Sequence, residues 1–131
     1  MEFWLRRWCR PAPGPGAAAE ARREVHRLAD QALLVGHVVS RTSEDDAALI
    51  ASELVAHAGG GCVLELRLAA EGLDILVRDA RPPFPAPTGR GPYVFWWDLV
   101  TLLAQEVTVR RRTPSSAAVV RVRVDAERPS V

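Results

Sequence analysis

Between residues 43 and 58 the apolar positions Ala47, Ile50, Ala51, Leu54, Val55 and Ala58 recur at helical spacing. They form one face over roughly three turns and predict a central helix. Ser43 is the expected N-cap, with Asp46 three residues on in the capping position. Gly59-Gly60-Gly61 is the expected stop, because glycine enters left-handed backbone at little cost. The period then changes to two. Val63 to Leu68 predicts a strand, Glu71-Gly72 a turn, and Leu73, Ile75 and Val77 a returning strand whose other face carries Asp74, Leu76 and Arg78. That strand ends at Asp79-Ala80-Arg81-Pro82-Pro83. A lone carboxylate where a buried strand opens into a proline loop fits a ligand site, and equally a turn-capping aspartate.

The pattern extends in both directions. Upstream, Val25, Leu28, Ala29, Ala32 and Val35 predict a helix over residues 17–36, with Arg22, Arg23, Glu24, Arg27 and Asp30 outward and His26 solvated among them. Residues 1–16 form an arm: Phe3, Trp4, Leu5 and Trp8 interleave with Arg6, Arg7 and Arg10, then a Pro/Gly linker follows. The arm is either a first, edge strand packing its aromatics on the sheet or a partner, or an interfacial membrane or protein-docking arm. Downstream, Pro92 is a favoured first helical position. Phe95, Leu99, Leu102 and Leu103 supply that helix's apolar face, leaving Trp96 or Trp97 to a pocket rim or an exposed patch. Val107 and Val109 alternate with Thr108 and Arg110, and Val120, Val122 and Val124 with Arg121 and Arg123. Residues 125–131 read as a flexible tail. Sheet strands apolar on one face and charged on the other predict an α/β two-layer sandwich: a mixed, mostly antiparallel sheet with about three helices on one face. Helices on both faces are excluded.

Composition narrows the class. At 131 residues, 48% hydrophobic and 25% charged, the chain is one ordinary globular domain, spanning residues 17–124. A net charge of +1 gives no global electrostatic case for nucleic acid. All 17 basic residues are Arg, with no Lys and no Asn anywhere, which points to a GC-rich genome rather than a mechanism. Cys9 and Cys62 lack metal-ligand spacing and read as free thiols in a reducing cytoplasm. No apolar run approaches the ~20 residues of a membrane span, and the first ten residues lack the apolar core of a signal peptide.

Three motifs in order carry a resemblance: Ser52-Glu53-Leu54-Val55, then Val77-Arg78-Asp79, then Gly89-Arg90-Gly91 before an apolar helix. Over residues 17–124 the chain resembles the histidine-kinase-like ATPase (Bergerat) fold. It is most similar to small actinobacterial ATP-binding regulators related to anti-sigma-factor serine/threonine kinases. The resemblance implies ATP or ADP as ligand, with Mg²⁺, and Glu53 as the catalytic base. It implies Asp79 as acceptor for the adenine amino group, Gly89, Arg90 and Gly91 as the phosphate-facing glycine motif, and Ser116 in place of a nucleotide-reaching threonine. It also implies a cytoplasmic homodimer paired through the first strand, with a sigma factor or an antagonist-like regulator as protein partner.

Several positions depart from that pattern. The metal-holding Asn is replaced by His57, and imidazole suits transition metals better than Mg²⁺, which prefers oxygen. Glu53 and His57, at i and i+4, are equally well a simple surface pair. Gly59 ends the helix early, Pro92 removes a phosphate-binding amide, and only nine residues separate Asp79 from Gly89. Two function classes therefore stand: an adenine-nucleotide-binding regulator, weak or inactive as a kinase, and a non-catalytic interaction module of the same fold with a decayed pocket. Nucleic-acid binding by the Arg-bearing sheet face ranks last, because acidic residues offset the charge.

Overall fold

The computed structural model describes residues 4–58, 61–81, 84, 95–112 and 115–123. Its elements run β1 (Leu5–Cys9), α1 (Ala17–Leu34), α2 (Arg41–His57), β2 (Val63–Ala69), β3 (Gly72–Ala80), α3 (Phe95–Leu103), β4 (Glu106–Arg112) and β5 (Ser115–Val122). The strands form one five-stranded sheet in the order β1-β2-β3-β5-β4, every pairing antiparallel. This is the two-layer α/β sandwich that the alternation implies, with the expected mixed sheet resolved as wholly antiparallel.

The core lies between the layers. Ala47, Ile50, Ala51, Leu54 and Val55 of α2 and Val25, Leu28 and Ala32 of α1 meet Leu64, Leu66, Leu68, Ile75, Val77, Ala118, Val120 and Val122 of the sheet. Ala21, Ala32, Ala47, Ala51 and Ala58 have no exposed surface, so small side chains let both helices approach closely. The β2–β3 turn needs Gly72: its φ is +156°, and a Cβ there would meet the Val122 carbonyl oxygen at 2.7 Å.

Several expectations are corrected. The N-cap of α2 is Ser40, not Ser43: its side-chain oxygen accepts from the Ser43 amide at 3.2 Å. Ser43 instead lies in the first turn and donates its hydroxyl to the Arg123 carbonyl at 2.8 Å, anchoring the helix start to the end of β5. Arg41 and Thr42 are therefore helical, which places Asp46 beyond the capping turn. The glycine stop at residues 59 and 60 and the helix start at Pro92 lie outside the described residues. In α3 the buried positions are Trp97 and Val100, whereas Phe95 and Leu102 are exposed. An almost wholly apolar helix has no polar face to orient it, so periodicity could not select the buried side.

Two polar positions of α1 gain partners from other elements. His26 is half-buried, and its Nδ1 sits 2.6 Å from Glu44 of α2. Glu24, expected outward, is buried over β1, where Arg7 points to the helices because it pairs with Leu66 on the core side of the sheet. Arg7 Nε and Arg27 both donate to its carboxylate at 2.8 Å. The β1 edge is thus held to α1 by a charged clamp, while Trp8 turns away and is 69% exposed. No helix among the described residues is long and apolar enough to cross a membrane.

Burial alone would push the Glu24 carboxyl up; hydrogen bonds and charge from Arg7 and Arg27 outweigh it and hold the group below its ordinary 4.5. A folded-state value below the unfolded one stabilises the protein above the unfolded value, and that stabilisation is lost as pH falls through the folded value. Stability should therefore decline as pH drops below 4.5. Glu24→Gln should remove that part of the decline and cost about 1–3 kcal/mol at neutral pH. Urea titrations of both proteins at stepped pH check this.

Candidate functional site

The last turns of α2 meet the ends of β3 and β5 at one end of the sandwich. The Arg81 amide, just past β3, donates to the Ala58 carbonyl at the C-cap of α2 at 2.7 Å. The β3–β5 register slips between Val77 and Ala80: Val77 pairs with Ala118 but Ala80 with Ser116, leaving Arg78 and Asp79 against one partner position. Within that bulge Asp79 has φ +62°, the one non-glycine residue of positive φ among those described. Bulges re-aim side chains, and left-handed backbone at a non-glycine residue is strained. Asp79 is exposed, with its charge near enough to Cys62 to help burial raise that thiol.

Glu53 and His57 lie on the same face of α2, with His57 Nε2 3.4 Å from a Glu53 carboxylate oxygen. The other side of the imidazole is covered: Trp96 stacks on it at 4.0 Å with 5° between the ring planes. Trp96 meets Trp97 edge-on at 5.4 Å, and Phe84 contacts both at 6.2 and 6.0 Å. Phe84 is buried, its amide donating to Ser116 Oγ at 2.8 Å. Trp97 Nε1 is buried without a hydrogen-bond partner. Such a donor is costly to leave unmet, by about 1–3 kcal/mol.

Of the residues singled out in the sequence, Glu53, His57, Asp79 and Ser116 come to this end of the fold. Glu53 and His57 pair with each other, and the Ser116 oxygen holds the Phe84 backbone. Gly89, Arg90 and Gly91 lie outside the described residues. The aromatic cluster of Phe84, Trp96 and Trp97 was only partly legible. Adjacent tryptophans signalled that one must leave the helix face, but nothing in the spacing paired Trp96 with His57, thirty-nine positions earlier.

The donors do not fit Mg²⁺. Among the described residues no three His, Cys, Asp or Glu side chains converge. Glu53 and His57 offer one carboxylate and one imidazole whose face is stacked, where Mg²⁺ wants a near-octahedral oxygen shell. Both cysteines are free: burial, aided by the Glu24 and Glu20 carboxylates, pushes Cys9 up to about 11, and burial also raises Cys62. Neither supplies a thiolate at neutral pH. The chain matches no protein-family model and no curated protein.

The bulge gives a direct test. At a strand position Ala normally exceeds Gly in stability, but at left-handed backbone the order reverses. Asp79→Gly should be more stable than Asp79→Ala by about 1 kcal/mol in urea unfolding.

Proposed function

We propose that the chain is an adenine-nucleotide-binding regulator of the anti-sigma-factor kinase type that acts by binding rather than by phosphoryl transfer. The observation that carries this reading is Asp79, held in a strained bulge at the end of a central strand, two residues before the Arg81 amide that donates to the C-cap of α2. Strain that the surrounding structure maintains is a mark of functional positions. The order of the described elements supports it too. Helix α2 carries Glu53, β3 ends at Asp79, α3 follows, and the β4–β5 hairpin brings Ser116 beside Ala80.

In this reading the Asp79 carboxylate accepts a hydrogen bond from the adenine amino group, and the protein conformation reports which nucleotide is bound. Phosphoryl transfer depends on metal and on exact placement of the nucleophile. A Glu53 carboxylate oxygen lies 3.4 Å from His57 Nε2, and the donor set does not suit Mg²⁺, so Glu53 is a poor base here. The partner class is a sigma factor or an antagonist-like regulator in the cytoplasm. The free edge of β1 is the strand available to a second copy.

A second reading, a docking module that binds no nucleotide, is favoured by the Trp96–His57 stack. That stack covers the end of α2 with protein rather than leaving it to a ligand.

Isothermal titration with ATP and ADP, with and without Mg²⁺, separates the two. The expected result is saturable binding that is insensitive to Mg²⁺ and weakened about tenfold or more in Asp79→Ala. ATP turnover should stay at background and be unchanged by Glu53→Ala. No heat at millimolar nucleotide from a folded protein overturns the proposal and leaves the docking module. Turnover lost in Glu53→Ala restores the kinase.

A further inference from the structure

The face of the sheet away from the helices is ordered by register into rows running across the strands. One row contains Arg6, Arg67, Asp74, Arg121 and Glu106, the next Trp8, Glu65, Leu76, Val119 and Thr108. The first row is internally neutralised: Arg121 binds Asp74 at 2.7 Å, while Arg6 and Arg67 both reach Glu65 of the second. Glu65 and Asp74 are buried beneath these guanidinium groups. Besides Glu65 the middle row holds Trp8, Leu76, Val119 and Thr108, and its one large exposed apolar side chain is Trp8.

The third row differs. Arg78 on β3 and Arg110 on β4 flank the small Ala117, and Arg10, exposed, follows the last paired residue of β1, Cys9 opposite Leu64. All three are exposed. The paired positions of this row hold no acid; Asp79 shares Arg78's position in the bulge, and Glu65, 3.9 Å from Arg78, is already shared with Arg6 and Arg67. Among the described residues Arg10 and Arg110 have no acidic partner. With strands about 4.8 Å apart, the three arginines stand at intervals of about 10 Å.

We infer that this open face is a docking surface for an acidic amphipathic helix of a partner protein. Helix residues seven apart advance by about 10 Å, so carboxylates at that spacing meet Arg10, Arg78 and Arg110 in turn. The rows lie two residues, about 7 Å, apart, and one helix about 10 Å across covers both. Its apolar residues then rest on Trp8, Leu76 and Val119. Exposed tryptophan beside unpaired arginine is the composition of binding hot spots. A nucleic acid fits this surface less well, since its phosphates could not avoid Glu65, Asp74 and Glu106, whereas a helix with a single acidic flank does. The inference does not rest on nucleotide binding, although the basic row lies at the end of the sheet where β3 runs into Asp79.

The test titrates the full chain into a fluorescein-labelled helical peptide of about 18 residues, with Leu along one face and Glu at seven-residue spacing on its flank. A second peptide carries Gln for each Glu, and an oligo-dT probe stands for nucleic acid. The Glu peptide should bind about tenfold or more tightly than the Gln peptide, and each of Arg78→Glu, Arg110→Glu and Trp8→Ala should weaken it about tenfold. Arg22→Glu, on the exposed side of α1, should leave it unchanged. Circular dichroism establishes folding, and Arg110→Gln, with a smaller loss in the same direction, serves where a reversal unfolds the chain. Equal binding of the two peptides, no binding of either, tighter binding of oligo-dT, or indifference to the reversals overturns the inference. So does a dimer that Trp8→Ala dissociates, which assigns the face to a second copy.

Discussion

The burial of α2 against β3 and β5 is the constraint on which the rest of this structure depends. Its inward face is built from Ala47, Ile50, Ala51, Leu54, Val55 and Ala58, and the alanines bring the helix axis close to the sheet. At ~25 cal/mol per Å² of apolar area, such a face drives docking without help from polar contacts. Polar contacts then fix its two ends. Ser40 caps the first turn while Ser43 ties it to Arg123, and the Ala58 carbonyl receives the Arg81 amide. Once α2 is so placed, Glu53 and His57 can only lie beside the ends of β3 and β5.

That placement has a consequence for chemistry. The helix delivers an acid and an imidazole to the same end of the sandwich as Asp79, and the imidazole, still part-exposed, meets Glu53 at Nε2 and Trp96 on one face. Aromatic stacking and an i,i+4 pair together hold the side chains of the site in place without a ligand. Among the described residues these side chains do not make an oxygen-rich set suited to Mg²⁺. The strained backbone at Asp79 is the feature that packing alone does not explain.

The two faces of the sheet solve opposite problems. Toward the helices, one charged cluster is admitted, Glu24 between Arg7 and Arg27, and it anchors the edge strand. On the open face, pairing is dense around Glu65 and Asp74, Arg78 reaches only the already shared Glu65, and among the described residues Arg10 and Arg110 have no acidic partner. A near-neutral net charge conceals this segregation, which exists only once register aligns residues from four strands.

The amphipathic periods by themselves determined the helices α1 and α2, the β2–β3 hairpin, the β4–β5 pair and the single-faced helix layer. They did so because burial on one side enforces a repeat of 3.6 or 2 that is visible locally. Candidate chemistry on regular elements was legible for the same reason: Glu53 and His57 share a helix face at i,i+4, and Asp79 ends an alternating strand. What only the tertiary structure decided involves partners distant in sequence. Glu24 looks like a surface residue until Arg7 arrives from another layer. The almost wholly apolar α3 could bury any side until Phe84 and His57 selected Trp97 and Trp96. The basic row is scattered over a hundred positions of sequence, and strand pairing alone assembles it.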